Sequence, residues 1–183
     1  MQTHTLGPTT TDSYRAAEYF KTQIQPDTQI VLHDDFADIL THLDTIAGQQ
    51  FLMPAAYQNA KGNLSWREFN YNASGVAKIN TVFHLPLMPM VLVENLQPRR
   101  EEVVFHPATK KLFESVIPLV GLSQRPMASK ALVLTSFLRR GSRYAIVTEE
   151  FFKAATTDSA AQYRVLKQFP GEMVWVVYDV LAK

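Results

Sequence analysis

Gly7-Pro8-Thr9-Thr10-Thr11 is a turn followed by a run of hydroxyls, set between a strand-like stretch, His4 to Leu6, and a helical pattern that opens at Asp12. Glycine and proline bend the chain, and a Thr just ahead of a helix meets backbone N–H groups that have no partner inside the helix. Such a turn can hold an anion, a carboxylate or a phosphate. The layout recurs: His106-Pro107-Ala108-Thr109 turns a strand-like run, Val103 to Phe105, into a helix, and Ser129-Lys130 opens another. There, Lys130 stands beside the hydroxyl as counter-charge for a second carboxylate. His106, at a strand end, can donate a hydrogen bond or move a proton. Each group also has a plain reading: a capped helix start at Thr9 to Thr11 and at Ser129, a solvated Lys130, and a loop histidine held by local backbone at His106.

Other chemistries find no support in the residue types. The chain has no cysteine, which excludes disulfide scaffolds, thiol catalysis and Cys-based zinc sites. Its formal net charge of +1 and short basic runs (Arg99-Arg100, Arg139-Arg140) give no stripe for nucleic acid or for an anionic membrane. No Gly-x-Ser-x-Gly elbow surrounds a serine, Thr135-Ser136 included, and there is neither a Gly-x-Gly-x-x-Gly nor a Walker A run. His33-Asp34-Asp35 has the look of a metal site, yet a helix cap is the better reading, and His42 lacks partners, so no metal is expected. Trp66, Trp175 and Phe151-Phe152 read as core or cleft wall. No signal-peptide pattern and no apolar run of ~20 residues is present, so a cytoplasmic protein is expected.

The elements that must position these residues are those of a mixed α/β chain. Of the 183 residues, 46% are hydrophobic and 19% charged, a globular balance. Asp12 to Gln23 carries Ala16, Tyr19 and Phe20 at helical spacing, and Pro26-Asp27 breaks it. Gln29 to Leu32 reads as a strand. Asp34 or Asp35 then caps a helix with the face Phe36, Ile39, Leu40 and Leu43, ended by Gly48. Phe51 to Met53 is a third strand, so the first third forms a parallel sheet with right-handed crossovers. Residues 59–75 are polar and Asn-rich. Lys78 to Leu85, Met90 to Glu94 and Val103 to Phe105 are strands, a helix runs from Thr109 to about Ser115, and Ile117 to Leu122 is expected as another strand, with Ser123 to Pro126 a loop. A helix over Ser129 to Arg140, a strand over Tyr144 to Val147, and a helix capped by Thr148 follow. Arg164 to Phe169 and Val174 to Val180 are the last strands, and no repeat of fixed period appears. Ligands in open α/β sheets bind outside the carboxyl ends of strands, where the hydroxyl turns lie.

At these residues the chain resembles the catalytic domain of prephenate dehydratase and, more closely, the non-aromatizing prephenate decarboxylase of bacilysin biosynthesis. The resemblance rests on Leu6-Gly7-Pro8-x-x-Thr11 with Ala16-Ala17, His33-Asp34-Asp35-Phe36, Met53-Pro54 with Ala56-Tyr57, Pro89-Met90 and Val104-Phe105-His106-Pro107. It continues through Gly141, Tyr144-Ala145-Ile146-Val147-Thr148, Met173 and Trp175. It implies a two-lobed α/β fold of the type II periplasmic-binding-protein kind, with substrate between lobes expected over 1–80 plus 170–183 and over 81–169. It also implies a cytosolic enzyme without metal or cofactor, acting on a small dicarboxylate, with a homodimer allowed. The substrate-binding residues expected are Thr9, Thr10, Thr11 and Tyr57 in the first lobe, and His106, Thr109, Ser129 and Lys130 in the second. No residue is assigned as catalytic.

Three departures bear on activity. Dehydratases carry Thr-Arg-Phe on the last strand of the domain, where this chain has Met173-Val174-Trp175, which argues against dehydration. The decarboxylase has an acidic residue at the place of Thr9 and a histidine at the place of Ala55. No regulatory ACT domain is expected after Lys183. The leading expectation is therefore a prephenate decarboxylase-like lyase. The alternatives are a non-catalytic module that binds an aromatic or keto acid, and an interaction protein using the Asn-rich 59–75 segment.

Overall fold

The computed structural model describes residues 1–59, 63–118, 120–127 and 130–182. In chain order its elements are β1 (Gln2–Leu6), α1 (Asp12–Gln23), β2 (Gln29–His33), α2 (Phe36–Thr41), β3 (Gln50–Pro54), α3 (Trp66–Asn72) and β4 (Ala77–Pro86). They continue with β5 (Met90–Asn95), β6 (Arg100–Phe105), α4 (Lys110–Glu114), β7 (Ser123–Pro126), α5 (Lys130–Arg140), β8 (Ser142–Thr148), α6 (Glu149–Ala155), β9 (Tyr163–Phe169) and β10 (Glu172–Val180). Two units result: Met1–Leu87 with the residues from Glu172 onward, and Met88–Gly171. The first unit keeps residues 81–87 because β4 stays paired with β10 as far as Pro86.

The first sheet has the order β2-β1-β3-β10-β4, with β1, β2 and β3 parallel and β10 antiparallel to both its neighbours. Side chains alternate across a strand, so a sheet covered on both faces shows two buried sets. Leu52, Trp175 and Val177 face α1 and its Ala16, Ala17 and Phe20. Phe51, Met53, Val176 and Tyr178 face the other way, toward Phe36 and Ile39 of α2 and Phe69 of α3. Phe51, Phe69 and Tyr178 form a three-ring cluster there, with centroids 4.9–5.2 Å apart.

The second sheet repeats that plan without repeating the sequence. Its order is β7-β6-β8-β5-β9, with β6, β7 and β8 parallel and β5 antiparallel to β8 and β9. Val91, Val93, Val104, Ala145 and Val147 meet Val133 and Phe137 of α5, while Leu92, Val103, Phe105 and Ile146 meet Phe113 of α4. In each unit the fourth place is taken by an antiparallel strand, β10 in the first and β5 in the second.

Four elements differ from expectation. Ser123 to Pro126 is a strand, and none of the described residues of 117–122 is one. The polar run needs only its backbone to pair in parallel with β6, from Glu102↔Ser123 to Phe105↔Pro126, and an outer edge tolerates a proline. Ile117 and Leu122 reach the core from a loop. Residues 66–72 of the Asn-rich segment form α3, opened by a capping box in which Ser65 Oγ accepts from Glu68 N at 3.3 Å and donates to the Glu68 carboxylate. The helix capped by Asp35 stops at Thr41, and a 3-10 turn, Leu43–Ile46, carries the apolar face onward. Thr148 stands before α6, but its hydroxyl makes no cap bond; Glu149 N donates to Pro89 O at 2.9 Å instead.

Candidate functional site

In the first unit the exits of β1 and β2 are tied together. Gly7 N donates to His33 O at 2.8 Å, and a Cβ on Gly7 would stand 3.1 Å from Leu32 Cβ, a tight approach at which Leu32 would have to give by a few tenths of an ångström. The Gly7-Pro8 peptide is cis. Thr11 caps α1: its Oγ1 accepts from Tyr14 N at 3.2 Å and lies 2.9 Å from Pro8 O and 3.1 Å from Leu6 O, to which it can donate. Thr9 and Thr10 are exposed in the turn, and their hydroxyls make no hydrogen bond among the described residues. Asp12 follows in the first helical turn, where a carboxylate complements the helix dipole, and contacts Arg15 at 3.6 Å.

Tyr57 lies just past β3. Its N donates to Pro54 O at 3.0 Å and its ring packs edge-on against Phe36, with centroids 4.9 Å apart. Its hydroxyl is buried and makes no well-aligned hydrogen bond among the described residues. Burial, then the Asp35 carboxylate, push its pKa up to about 12, so it remains an O–H donor at neutral pH. Trp66 Nε1 is a second buried donor with no well-aligned partner among the described residues, although it acts on the Tyr178 phenol, and both side chains pack on the same apolar cluster. Asp35 caps α2 through Ala37 N at 2.9 Å. His33 pairs with a residue the sequence reading left aside: His4 Nδ1 lies 2.8 Å from His33 Nε2, and His4 Nε2 lies 2.7 Å from Gln49 Oε1. Burial, then His4, hold the His33 pKa below the ordinary range, against the pull of Asp38 and Asp34. Among the described residues no three His, Asp or Glu side chains group as a metal site.

In the second unit His106 and Lys130 come together. His106 follows β6, and its Nδ1 accepts from Ala108 N at 3.3 Å, which leaves the proton of the neutral ring on Nε2. Burial, then the positive charge of Lys130, lower its pKa. Lys130 opens α5, close behind β7, whose Pro126 pairs with Phe105. Thr109 is buried, and its hydroxyl donates to His106 O at 2.8 Å, so it closes the turn that carries His106. Ser129 lies outside the described residues.

The sequence reading missed a cavity of about 160 Å³ in the first unit, lined by Asp12, Arg15, Tyr19, Leu85, Pro86 and Trp175. Trp175, read as core or cleft wall, is 2% exposed and lies in the core with Leu52 and Val177, where it also lines this space. The available signal for Arg15 was its place three residues after Asp12 on the helix, but the eye follows the apolar spacing of Ala16 and Phe20.

Two five-stranded sheets of like order, each with four strands running one way and one antiparallel strand inserted in fourth place, define an α/β fold of the type II periplasmic-binding-protein kind. A scan against protein-family models and a search of curated proteins find no match. Solved structures do match. Prephenate dehydratase from Arthrobacter aurescens in complex with L-Phe aligns at a TM-score of 0.58 and 14% identity, over 100% of this chain and 61% of that one. Prephenate dehydratase from Staphylococcus aureus aligns at 0.58 and 14%, over 100% and 67%. A periplasmic His/Glu/Gln/Arg/opine family-binding protein from Silicibacter pomeroyi, in complex with lysine, aligns at 0.50 and 10%, over 96% and 81%. At such identities the likeness is one of fold, and the chain spans 61% of the length of the Arthrobacter protein. No helix among the described residues is long and apolar enough to cross a membrane.

Proposed function

We propose that the protein binds prephenate or a similar cyclic keto-dicarboxylic acid and acts on it as a decarboxylase-like carbon–carbon lyase. The observation that carries this reading is the placement of donors at strand exits in a prephenate dehydratase-like fold. Thr9, Thr10 and Tyr57 follow β1 and β3, and His106 and Lys130 follow β6 and β7. Backbone N–H groups, hydroxyls and one ammonium are suited to two carboxylates. In the reaction the bond from the ring carbon to its carboxylate breaks and carbon dioxide leaves. The electron pair shifts into the ring diene, whose far carbon takes a proton, so the ring hydroxyl stays and no aromatic ring forms. The proton comes from solvent, and His106, neutral with its proton on Nε2, serves as a hydrogen-bond donor to the substrate. Met173-Val174 on β10, where dehydratases carry Thr-Arg, weighs against expulsion of the hydroxyl.

Binding without turnover is the second reading, favoured by Thr9 and Ala55 standing where the decarboxylase has an acid and a histidine. One experiment separates them. Purified protein is incubated with prephenate while ultraviolet absorbance and product mass are followed. A non-aromatic product lighter by carbon dioxide supports the lyase. Unchanged prephenate with a raised melting temperature supports the binding module. Phenylpyruvate formed above the uncatalysed rate overturns the exclusion of dehydration.

A further inference from the structure

The cavity of the first unit lies between α1, which supplies Asp12, Arg15 and Tyr19, and the β10–β4 pair, which supplies Trp175, Leu85 and Pro86. Its volume is about 160 Å³. The space opens to solvent on the side of Asp12 and Arg15, and its volume admits one six-membered ring. The sheet side offers no polar side chain other than the Trp175 indole, and Tyr19 presents a second ring from the helix. A guanidinium stands at the same place. The Arg15 side chain makes no hydrogen bond among the described residues, and its 3.6 Å contact with Asp12 is ionic.

We infer that this cavity is a subsite for a six-membered ring bearing a carboxylate, with the ring against Trp175 and the carboxylate on Arg15. The inference deepens the proposed function and rests on it for the identity of the natural ligand. Flat rings gain from stacking on a Tyr face beyond their area; Tyr19 is the exposed ring here, and the buried Trp175 forms the floor. A guanidinium holds five N–H donors in a fork that matches a carboxylate, which a lysine does not reproduce. Asp12 is a positioning residue. Its side chain is 14% exposed against 51% for Arg15, so the more deeply held carboxylate orients the more exposed guanidinium from three residues away. The same carboxylate repels a second anionic group, which selects a ring whose inward part is uncharged.

The test uses the full chain, 15N-labelled, with 4-fluorobenzoate as probe. The two indole N–H signals are assigned with Trp66→Phe. Saturation is expected to move the Trp175 signal and leave Trp66 in place. Arg15→Ala should weaken binding at least tenfold, Arg15→Lys less, and fluorobenzene, which lacks the carboxylate, should bind at least tenfold more weakly than 4-fluorobenzoate. An unmoved Trp175 signal, or equal affinity in Arg15→Ala, overturns the subsite. Failures of the two ideas differ. Prephenate left untouched by a protein that binds 4-fluorobenzoate through Arg15 removes the reaction and keeps the subsite. Prephenate consumed by Arg15→Ala at unchanged KM removes the subsite and keeps the reaction.

Discussion

Arg140 grips Glu102 with two hydrogen bonds, Nε to one carboxylate oxygen at 2.9 Å and Nη2 to the other at 3.0 Å. Ser142 Oγ donates to the first oxygen at 2.7 Å and Arg125 Nε approaches the second at 3.4 Å, so one buried carboxylate joins β6, β7, β8 and the last turn of α5. Arg140 is the largest influence on Glu102, burial opposes it, and the net effect lowers the pKa from 4.5 to about 2. The folded value lies below the unfolded one, so the contribution is whole above about pH 4.5 and is lost as pH falls toward about 2. Roughly 3 kcal/mol is at stake. Glu102→Gln is expected to lower the unfolding free energy in urea at neutral pH by that order and to flatten the acid limb of stability. A variant as acid-sensitive as the parent would remove Glu102 as the cause.

Tyr57 carries a buried hydroxyl with no well-aligned hydrogen-bond partner among the described residues, although the Asp35 carboxylate acts on it. An unsatisfied buried polar group costs about 1–3 kcal/mol. Tyr57→Phe keeps the ring on Phe36 and removes that cost, so it is expected to raise the melting temperature. If the hydroxyl serves a ligand, the same variant loses a donor and binds prephenate about tenfold more weakly, as for one hydrogen bond to a charged group. Stability rising while affinity falls is the signature to look for in paired melting and titration curves; stability rising alone would leave Tyr57 outside the site.

Legibility in the sequence followed how local each signal was. The first helix was read with its observed bounds, Asp12–Gln23, because Thr11, the apolar spacing and Pro26 all act within a few residues. The Ser65-Trp66-Arg67-Glu68 box that opens α3 was equally local, but surrounding asparagines masked it. β7 was misread because an edge strand held by backbone pairing needs no apolar alternation. The cavity was beyond reach, since Arg15, Leu85 and Trp175 meet only after β4 and β10 have paired.

Gly141 joins α5 to β8 with φ +63°, and a Cβ there would stand 2.5 Å from Arg99 Nε and 3.3 Å from Arg99 Cβ. Arg99 cannot swing clear, because its N donates to Gly141 O at 2.8 Å and its Nη2 to Arg139 O at 2.7 Å. The left-handed conformation alone costs a side chain about 1–2 kcal/mol. Gly141→Ala is expected to lose at least that much in urea unfolding, with the m-value unchanged. A loss within error would mean that the turn relaxes away from its left-handed shape.

His106 and Lys130 are coupled through charge. Burial is the larger cause of the lowered His106 pKa, and Lys130 adds to it. Lys130→Met removes only the second cause, so the His106 pKa, followed by proton NMR of the ring, should rise part of the way toward 6.5 and stop short. The sign for stability follows. A histidine that binds its proton less tightly folded than unfolded makes the fold weaker as pH drops below the ordinary histidine range. That weakening should be smaller in Lys130→Met. The same variant should bind prephenate more weakly at neutral pH, where His106 is uncharged and Lys130 supplies the positive charge. An affinity that survives the substitution while the His106 pKa rises would show that Lys130 acts on the histidine and not on the ligand.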